Sequence, residues 1–566
     1  MVYVLTESPS DEPSGRAQVG AGSNATRLAG LALGGPISPS TAGRVSVHRY
    51  ADNGFRRNAF LGSDDTNRRE ELTVRGKLDW RVSDGWLVRL SGFHADFNNG
   101  YDAFALDNGP VTQSDEPGQD RQQTAAGALR VEGRLASGTR LVSITTAADS
   151  EVLFSFDGDW VNEQSFLPII YDFRYRNPRN RRTVSQELRL LSSPEGRLLN
   201  ATTDWVIGVF AQRLNEDNAI DSTGDYIETA VGCDPGVCFA DRQISSQFQS
   251  RTVAVFAGID SRLTQRLSLA AGLRLERWSA NYQDSVVDNV VAPGVTARNR
   301  FSPTEPLLGG HLSLMFDWDA TTRSYLRLAR GFKAGGFNPS LAALGGSPVN
   351  VSYDPEALWN LELGLKGATN GGRLSYELAA FGMLRDNAQL SQSAQAVAND
   401  PNTFVFTTDN GDARVLGLEA SVVFTVGAGL DLHGSLGLLD SRIDRWQVRP
   451  EVEGRDLAHA PGYTANLGAS WSGPAGWSAR LDITAVDAFY FDISNDQRSG
   501  AYQLTNLRVT KSWASWAVAL WARNLFDKDY ATRGFFFGNE PPAFAPALYT
   551  RFGDPRQVGL TLDYNF

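Results

Sequence analysis

The chain has 566 residues, of which 42% are hydrophobic and 21% charged, and its formal net charge is −11. This acidic balance excludes the basic surface that nucleic acid binding requires. No stretch approaches the roughly 18 consecutive apolar residues of a spanning helix, and the mean hydropathy is −0.27, so a helical membrane protein is also excluded. A membrane β-barrel remains compatible with these values, because only alternate residues of its strands face lipid.

Alternation of apolar and polar residues begins near the amino terminus and recurs along the first half of the chain. Leu72, Val74 and Leu78 alternate with Thr73 and Lys77, which gives a strand with one apolar and one polar face. The pattern predicts eleven strands in this half, near residues 15–22, 25–34, 43–51, 68–82, 85–97, 121–136, 139–150, 181–191, 201–213, 247–262 and 265–280.

The second half continues this alternation up to the final residue. Leu560, Leu562 and Tyr564 alternate with Thr561 and Asp563 just before the carboxyl terminus. Eleven further strands are predicted, near residues 307–318, 321–331, 357–367, 372–386, 412–426, 429–441, 460–472, 476–489, 500–512, 515–525 and 555–566. The sequence therefore predicts an all-β protein, a 22-stranded antiparallel barrel.

The connections between these strands alternate in length from the second strand onward. Short ones lie at 83–84, 137–138, 427–428 and 473–475. Long ones, rich in Asp, Asn, Gly, Pro and aromatic residues, lie near 98–120, 151–180, 214–246, 281–306, 332–356, 387–411 and 526–554. Short periplasmic turns and long extracellular loops are typical of an outer-membrane barrel. A soluble β-sandwich or propeller, the alternative, does not explain this alternation.

Cys233 and Cys238 frame the sequence Asp-Pro-Gly-Val in one of the predicted loops. Pro-Gly supplies a turn that can bring the two sulfurs together, so a small loop disulfide in an oxidising compartment is the favoured interpretation. A metal site on this pair is the less favoured alternative, because the chain has no further cysteine and the nearest histidines are distant in sequence.

The sequence does not indicate an enzyme, a metal centre or a cofactor. The five histidines are isolated from one another in sequence, so they form no catalytic or metal-ligating constellation. The arginine pairs at 56–57 and 181–182 are flanked by strand patterns, and we interpret them as solvated or lumen-facing charges.

Several phrases of the second half match a known family in their residues and order. They are Ala-Arg-Gly-Phe-Lys-Ala-Gly-Gly-Phe-Asn at 329–338, Asp-Pro-Glu at 354–356 and Glu-Leu-Gly-Leu-Lys-Gly at 362–367. Near the end stand Ala-Arg-Asn-Leu-Phe-Asp-Lys-Asp-Tyr at 522–530, Asp-Pro-Arg-Gln-Val-Gly-Leu at 554–560 and the terminal Phe566. In these motifs the chain resembles the barrel of TonB-dependent receptors of the siderophore and iron-complex type, over essentially its whole length.

The resemblance implies a place in the bacterial outer membrane, in contact with its lipid, and two parts of the chain. Residues 1–14 resemble the end of the family's N-terminal plug, and residues 15–566 form the barrel. The plug itself, with the TonB box that contacts the TonB-ExbB-ExbD complex, is expected to be missing from this sequence. The opening residues also have neither the basic nor the apolar region of a signal peptide. Phe566 takes the family's role of a signal to the barrel-assembly machinery.

Aromatic and cationic residues of two predicted loops are the candidate ligand contacts. Aromatic rings pack on organic ligands, and arginine pairs with anionic groups. The alternative is that these residues belong to the interfacial girdle or pack the loops against each other. The first loop provides Trp160, Tyr171, Phe173, Arg174, Tyr175 and Arg176, and the second provides Phe535, Phe536, Phe537, Tyr549 and Arg551.

We therefore expect an outer-membrane receptor for the TonB-coupled uptake of a large scarce nutrient. A ferric siderophore is the commonest ligand of the resembled family, whose members also import oligosaccharides and cobalamin. The rival hypotheses are a passive channel or inactive barrel fragment without a plug, and a soluble β-rich binding protein. Diffusion limited only by size and lumen charge would distinguish the channel, and solubility without detergent would distinguish the soluble protein.

Overall fold

Twenty-two antiparallel strands close into one barrel within residues 5–228, 239–288, 292–339, 351–395 and 404–566, the part of the chain that the computed structural model describes. Each strand pairs with the next strand along the chain, and the last pairs with the first. The predicted fold class and strand number are thereby confirmed. Within these same residues, no helix has the length and apolar character that crossing a membrane requires.

The strands of the barrel are numbered in chain order. The first eleven are β1 Ser14–Gly22, β2 Thr26–Ser38, β3 Thr41–Asp52, β4 Arg69–Ser83, β5 Trp86–Tyr101, β6 Gly118–Arg134, β7 Arg140–Asp157, β8 Ile170–Leu191, β9 Thr203–Ile227, β10 Phe239–Arg262 and β11 Leu267–Asp288. β12 is broken into two segments, Ala292–Phe301 and Thr304–Asp317, which both pair with β11. The others are β13 Arg323–Lys333, β14 Glu356–Thr369, β15 Leu374–Gln395, β16 Phe404–Gly427, β17 Leu430–Arg445, β18 Tyr463–Ser472, β19 Trp477–Val486, β20 Tyr502–Trp513, β21 Trp516–Arg523 and β22 Gln557–Asn565.

Smaller elements lie in the connections between the barrel strands. The described parts of the long loops contain three strand pairs: Arg57–Asn58 with Val111–Thr112, Gly336–Phe337 with Ser352–Tyr353, and Ala531–Phe537 with Ala547–Phe552. Short helical turns occupy Pro194–Gly196, Leu198–Ala201, Asn370–Gly372, Pro450–Val452 and Pro474–Gly476.

The outward face of the barrel is apolar and exposed, as a lipid-facing surface must be. Leu361 and Leu363 of β14 and Leu467 of β18 each expose more than half of their surface. Exposed tryptophans stand beside the short turns at one end of the barrel: Trp80, Trp318, Trp471, Trp477, Trp513 and Trp516. This is the aromatic girdle expected at a membrane interface, and the short turns themselves mark this end of the barrel as periplasmic.

Several strands continue beyond their predicted ends. β8, predicted to begin near residue 181, begins at Ile170, and β9, predicted to end near residue 213, ends at Ile227. The predicted loops 151–180, 214–246, 281–306 and 387–411 are therefore partly strand. Above the membrane both faces of a strand meet water or protein, so the apolar alternation stops. Backbone pairing, such as that of Arg179 with Asn218, does not need apolar alternation and continues beyond it.

The seam between β1 and β22 closes the barrel. Backbone pairing runs from Arg16 opposite Asn565 to Gly22 opposite Gly559. Beside this ladder, the buried carboxylate of Asp563 accepts hydrogen bonds from Arg16 Nε and Nη2 at 3.1 and 2.6 Å and from Gln18 Nε2 at 2.8 Å. The last residue joins the seam as well.

Phe566 is held at the end of this seam by its backbone. Its amide donates to the Gly15 carbonyl at 3.0 Å, and its ring covers Gly15, where a Cβ atom would approach the ring to 2.2 Å. The ring remains exposed. The role of Phe566 as a signal to the assembly machinery remains a prediction.

Replacing Asp563 with alanine is expected to lower the free energy of unfolding by about 1–2 kcal/mol, because charge-assisted hydrogen bonds across the seam are lost while the half-exposed Arg16 regains water. The temperature at which the folded band of the barrel disappears on denaturing gels measures the change. Asp84→Ala, in the exposed turn between β4 and β5, is the matched control. Equal midpoints for D563A and the native protein would contradict a stabilising role of this carboxylate.

Candidate functional site

The last extracellular loop carries a hairpin, Ala531–Phe537 paired with Ala547–Phe552, that reaches far from its own strands. The Phe537 ring lies 5.5 Å from Trp160, in the loop between β7 and β8, and 4.6 Å from Phe404, at the start of β16. In a ring of 22 strands these two positions lie on nearly opposite sides. The hairpin therefore crosses the extracellular opening of the barrel.

Residues 102–117, 158–169 and 531–552 together form a cap over this opening. Asn108 of the first segment donates to the Leu548 carbonyl at 3.0 Å and accepts from the Thr550 amide at 2.6 Å. Asn539 of the third segment donates to the Asp159 carbonyl at 3.0 Å. Hydrogen bonds as well as ring contacts thus join the three segments.

A buried aromatic cluster forms the centre of the cap. Trp160 stacks on Phe104 at 4.9 Å and meets Tyr549 edge-on at 5.0 Å. Trp160, Phe537 and Tyr549 each expose less than a tenth of their surface, and Phe535 packs at the margin of the cluster. The sequence placed Trp160, Phe535, Phe537 and Tyr549 in two candidate loops, and the structure brings them into one cluster.

Tyr171 lies beside this cluster but in a separate group of rings. Its hydroxyl donates to Asn539 Oδ1 at 2.7 Å, and its ring lies 5.3 Å from Phe173 and 5.5 Å from Phe544. Tyr171 is fully buried. This burial, like that of Trp160, Phe537 and Tyr549, favours the alternative that these rings pack the loops.

The other predicted contacts are more dispersed. Tyr175 stacks on Phe156 at 4.7 Å, while Arg174 pairs with Glu116 at 3.1 Å. Arg176 lies opposite Asp221 on β9, with 3.9 Å between the charged groups, and Phe536 is exposed. Arg551 is exposed and stands over the Tyr101 ring at 5.6 Å. Tyr171 to Arg176 belong to β8 and not to a loop as predicted.

Phe104 and Phe404 complete the cluster and were not among the contacts predicted from the sequence. Both lie in predicted loops with the same aromatic and polar composition as the two loops that were chosen. Composition alone could have marked them as candidates. Their contact with Trp160 and Phe537 depends on loops that are distant in sequence, and no local pattern encodes it.

Asp157 and Asp159 form a buried acidic pair at the entry to the second cap segment, beyond the lipid-facing band. Burial raises the pKa of Asp159 to about 7, with Asp172 and Asp115 adding to the shift, while backbone amides of Phe173 and Val161 oppose it. Burial and the Asp159 charge also raise the pKa of Asp157 well above its usual value. The pair therefore holds a proton at slightly acidic to neutral pH, at which exposed aspartates are ionised.

The chain enters the barrel along its inner wall. Lys77 Nζ on β4 donates to the carbonyls of Thr6 and Glu7 at 2.7 and 3.1 Å, and the Glu7 carboxylate pairs with Arg44 of β3 at 2.5 Å. Arg44 and Lys77 face each other across β3 and β4. Residues 5–13 thus lie on the charged wall of the lumen before β1 begins.

Two further predictions concern covalent and metal chemistry. Cys233 and Cys238, the predicted disulfide, lie outside the described residues. Over the part of the chain that is described, no group of three or more His, Cys, Asp or Glu side chains is arranged to hold a metal ion.

Comparisons with known proteins match this architecture. The model of a family described as TonB dependent receptor-like, beta-barrel, matches residues 14–525. The chain is 23% identical to the pesticin receptor of Yersinia enterocolitica over 574 residues, covering 96% of this chain and 76% of that protein. It superposes on the ferric yersiniabactin uptake receptor of Yersinia pestis with a TM-score of 0.81 and 20% identity, over 99% and 81% of the two chains.

A second solved structure gives the same result. The siderophore receptor PiuA of Acinetobacter baumannii has a TM-score of 0.75 and 14% identity, with 99% of this chain and 82% of that one covered. At such identities the two structures show a shared fold and not a shared ligand.

Proposed function

The chain belongs to the TonB dependent receptor-like β-barrel family, and from this premise we propose that it imports a ferric siderophore by a TonB-coupled route. As a member of this family it is a receptor of the bacterial outer membrane and not an enzyme. The observation that carries the proposal is the family match over residues 14–525. The names of the pesticin and ferric yersiniabactin receptors suggest the class of ligand.

The geometry of the extracellular end suits such a receptor. A 22-stranded barrel encloses a lumen much wider than side chains can fill. The cap lies across its mouth, so a ligand arriving from outside meets the cap first. Of the predicted contacts, Arg174, Arg176, Phe536 and Arg551 keep exposed surface, but Arg174 and Arg176 are already paired with Glu116 and Asp221, which leaves Phe536 and Arg551. These two residues are our candidates for direct contact, whereas the buried rings hold the cap together.

A plug that fills the lumen is the second part of the proposal. Residues 5–13 line the inner wall, so any part of the chain that precedes them would start inside the barrel. The sequence also covers only 76% of the pesticin receptor. We assign residues 1–14 to the junction between the plug and the barrel. The plug of the full-length protein is then the part that contacts the TonB-ExbB-ExbD complex.

Iron uptake in a bacterial strain without siderophore receptors of its own tests the proposal. Expression of the full-length coding region should restore growth on at least one of a phenolate, a catecholate and a hydroxamate ferric siderophore, each given as the sole iron source. Deletion of TonB in the same strain should return the uptake of radioactive iron to the level of the empty vector.

Two results would replace this function. Uptake that is unchanged without TonB would assign a passive channel. TonB-dependent uptake of cobalamin or an oligosaccharide, with no growth on any of the siderophores, would keep the coupling and change the ligand.

A further inference from the structure

A cavity of about 400 Å³ lies between the inner wall of the barrel and the cap hairpin. Asn99 and Tyr101 of β5 and Asp120 of β6 line its wall side, and Thr532 and Arg551 line its hairpin side. A water molecule in the liquid occupies about 30 Å³, so the space suffices for a small organic molecule. The exposure of Arg551 shows that solvent reaches one side of this cavity.

Arg56 lines the same cavity and holds a buried guanidinium with a spare donor. The residue is 2% exposed, and its Nη1 donates to the Gly109 carbonyl at 3.0 Å. Its Nη2 is buried and has no hydrogen-bond partner in the described part of the chain. The sequence analysis interpreted Arg56 as a solvated or lumen-facing charge, and its burial shows that it is not solvated.

The other charges of the cavity do not neutralise this guanidinium. Arg69 is occupied by Asp554 at 2.5 Å. Asp102 Oδ2 accepts from Asn58, Thr66 and Thr112, and stays too far from Arg56 to form an ion pair. Among the described residues, Arg56 and Arg551 both lack a carboxylate partner. Of the remaining carboxylates of the lining, Glu71 accepts from Asn99 at 3.1 Å and Asp120 is exposed. In the described part of the chain, Arg56 and Arg551 are thus the two cations of the lining that no carboxylate contacts within ion-pair distance.

The electrostatics of Arg56 agree with this geometry. Burial lowers the pKa of the Arg56 guanidinium, the charges of Asp102 and Asp107 oppose this shift in part, and the charge of Arg551 adds to it. Arginine nevertheless stays protonated in proteins. A buried cation next to a second cation is costly unless an anion compensates both.

We propose that this cavity binds a small oxyanion, a carboxylate or a phosphate, between Arg56 and Arg551. The spare Nη2 donor and the planar guanidinium groups match the oxygen pairs of such an anion. The site shares Arg551 with the proposed ligand contacts, so it rests in part on the proposed function. It holds whether the anion is a free metabolite or an acidic group of a larger ligand.

Calorimetric titration of the full-length protein in detergent, at constant ionic strength, tests the site with sodium citrate, inorganic phosphate and sodium chloride. We expect citrate or phosphate to bind at millimolar concentration or below, with no signal from chloride. Arg56→Gln and Arg551→Gln should each weaken binding at least tenfold. Arg174→Gln is the matched control, because Arg174 is exposed and paired outside the cavity.

Each outcome decides a part of the proposal. Binding of citrate alone assigns a carboxylate, and binding of phosphate alone assigns a phosphate. No binding of either anion overturns the site, as does an affinity that both R56Q and R551Q leave unchanged. R551Q alters an exposed side chain, so it keeps the test informative if R56Q does not fold. Anion binding without any iron uptake would separate this site from the transport function.

Discussion

Replacing Trp160 with alanine is expected to release the cap from the barrel mouth and to raise amide exchange in residues 531–537 and 547–552 at least a hundredfold. The side chain is 8% exposed and contacts Phe104, Phe537 and Tyr549. Truncating a buried aromatic residue to alanine costs about 3–5 kcal/mol. Since each 1.4 kcal/mol is a factor of ten, the equilibrium between the closed and released cap shifts by two orders of magnitude or more.

The backbone of Trp160 allows a sharper version of this test. Its φ is +63°, a left-handed conformation that costs a residue with a side chain roughly 1 kcal/mol or more and costs glycine almost nothing. Trp160→Gly removes the same ring and also relieves this strain. We expect W160G to exchange several-fold more slowly than W160A, which separates the contribution of the ring from that of the backbone.

Hydrogen exchange followed by mass spectrometry measures both variants. Trp80→Ala, which removes an exposed tryptophan near the short-turn end, is the control and should leave the cap amides unchanged. If W160A leaves exchange in the hairpin at the native level, the aromatic cluster does not hold the cap. The barrel strands should keep their protection in every variant, because their ladders do not depend on the loops.

The sequence was sufficient to predict the barrel, because the membrane imposes a period of two on every strand that crosses it. Leu361, Leu363 and Leu365 of β14 show this directly, and all 22 strands were found in that way. The outer parts of the strands were missed for the same reason. Ile220 on β9 and Ile244 on β10 are buried between polar neighbours, so extended strand and loop read alike in the sequence.

The extracellular end was predicted only in part. Aromatic composition identified Trp160 and Phe537, but it did not say that they touch each other or that Phe404 joins them. Such contacts are set by loops that meet across the barrel mouth. Arg56 was placed among solvated or lumen-facing charges because strand patterns flank the arginine pair at 56–57. Its burial follows from the cap hairpin and loop 102–117 folding over it, which no local pattern records.

Acidification is expected to stabilise the cap, and Asp157→Asn is expected to remove the part of that dependence on pH that the raised pKa of Asp157 contributes. The unfolded chain holds the Asp159 proton with a pKa near 3.8, whereas in the folded protein this pKa is about 7 and that of Asp157 is raised as well. Folding is therefore favoured at low pH, and the stabilisation is lost as the pH rises from about 4 to about 7. For Asp159 alone this difference is on the order of 4 kcal/mol.

Asp157 is the better place for the proton that the pair holds. Its Oδ1 accepts from the amides of Asp159 and Trp160 at 3.0 and 2.9 Å, but its buried Oδ2 has no partner in the described residues, and neither has the Ser114 hydroxyl. Both carboxylate oxygens of Asp159, in contrast, accept from backbone amides. The side-chain amide of asparagine at position 157 keeps the hydrogen bonds that Oδ1 accepts. Its N–H group is a permanent donor at the oxygen where Asp157 carries its proton.

The hydrogen-exchange rates of the Val161 and Phe173 amides, divided by the intrinsic rates at each pH, measure the stability of the cap between pH 5.5 and 8.5. Native protein should lose protection as the pH rises, and D157N should lose less, because only Asp159 of the pair then titrates. Asp64→Asn is the control, because this exposed loop carboxylate pairs only with Arg57 at 3.5 Å, and it should follow the native curve. A native curve without slope would mean that the pair keeps no proton near neutral pH. The cap would then be held by its aromatic and amide contacts alone, at the same strength in acidic and alkaline surroundings.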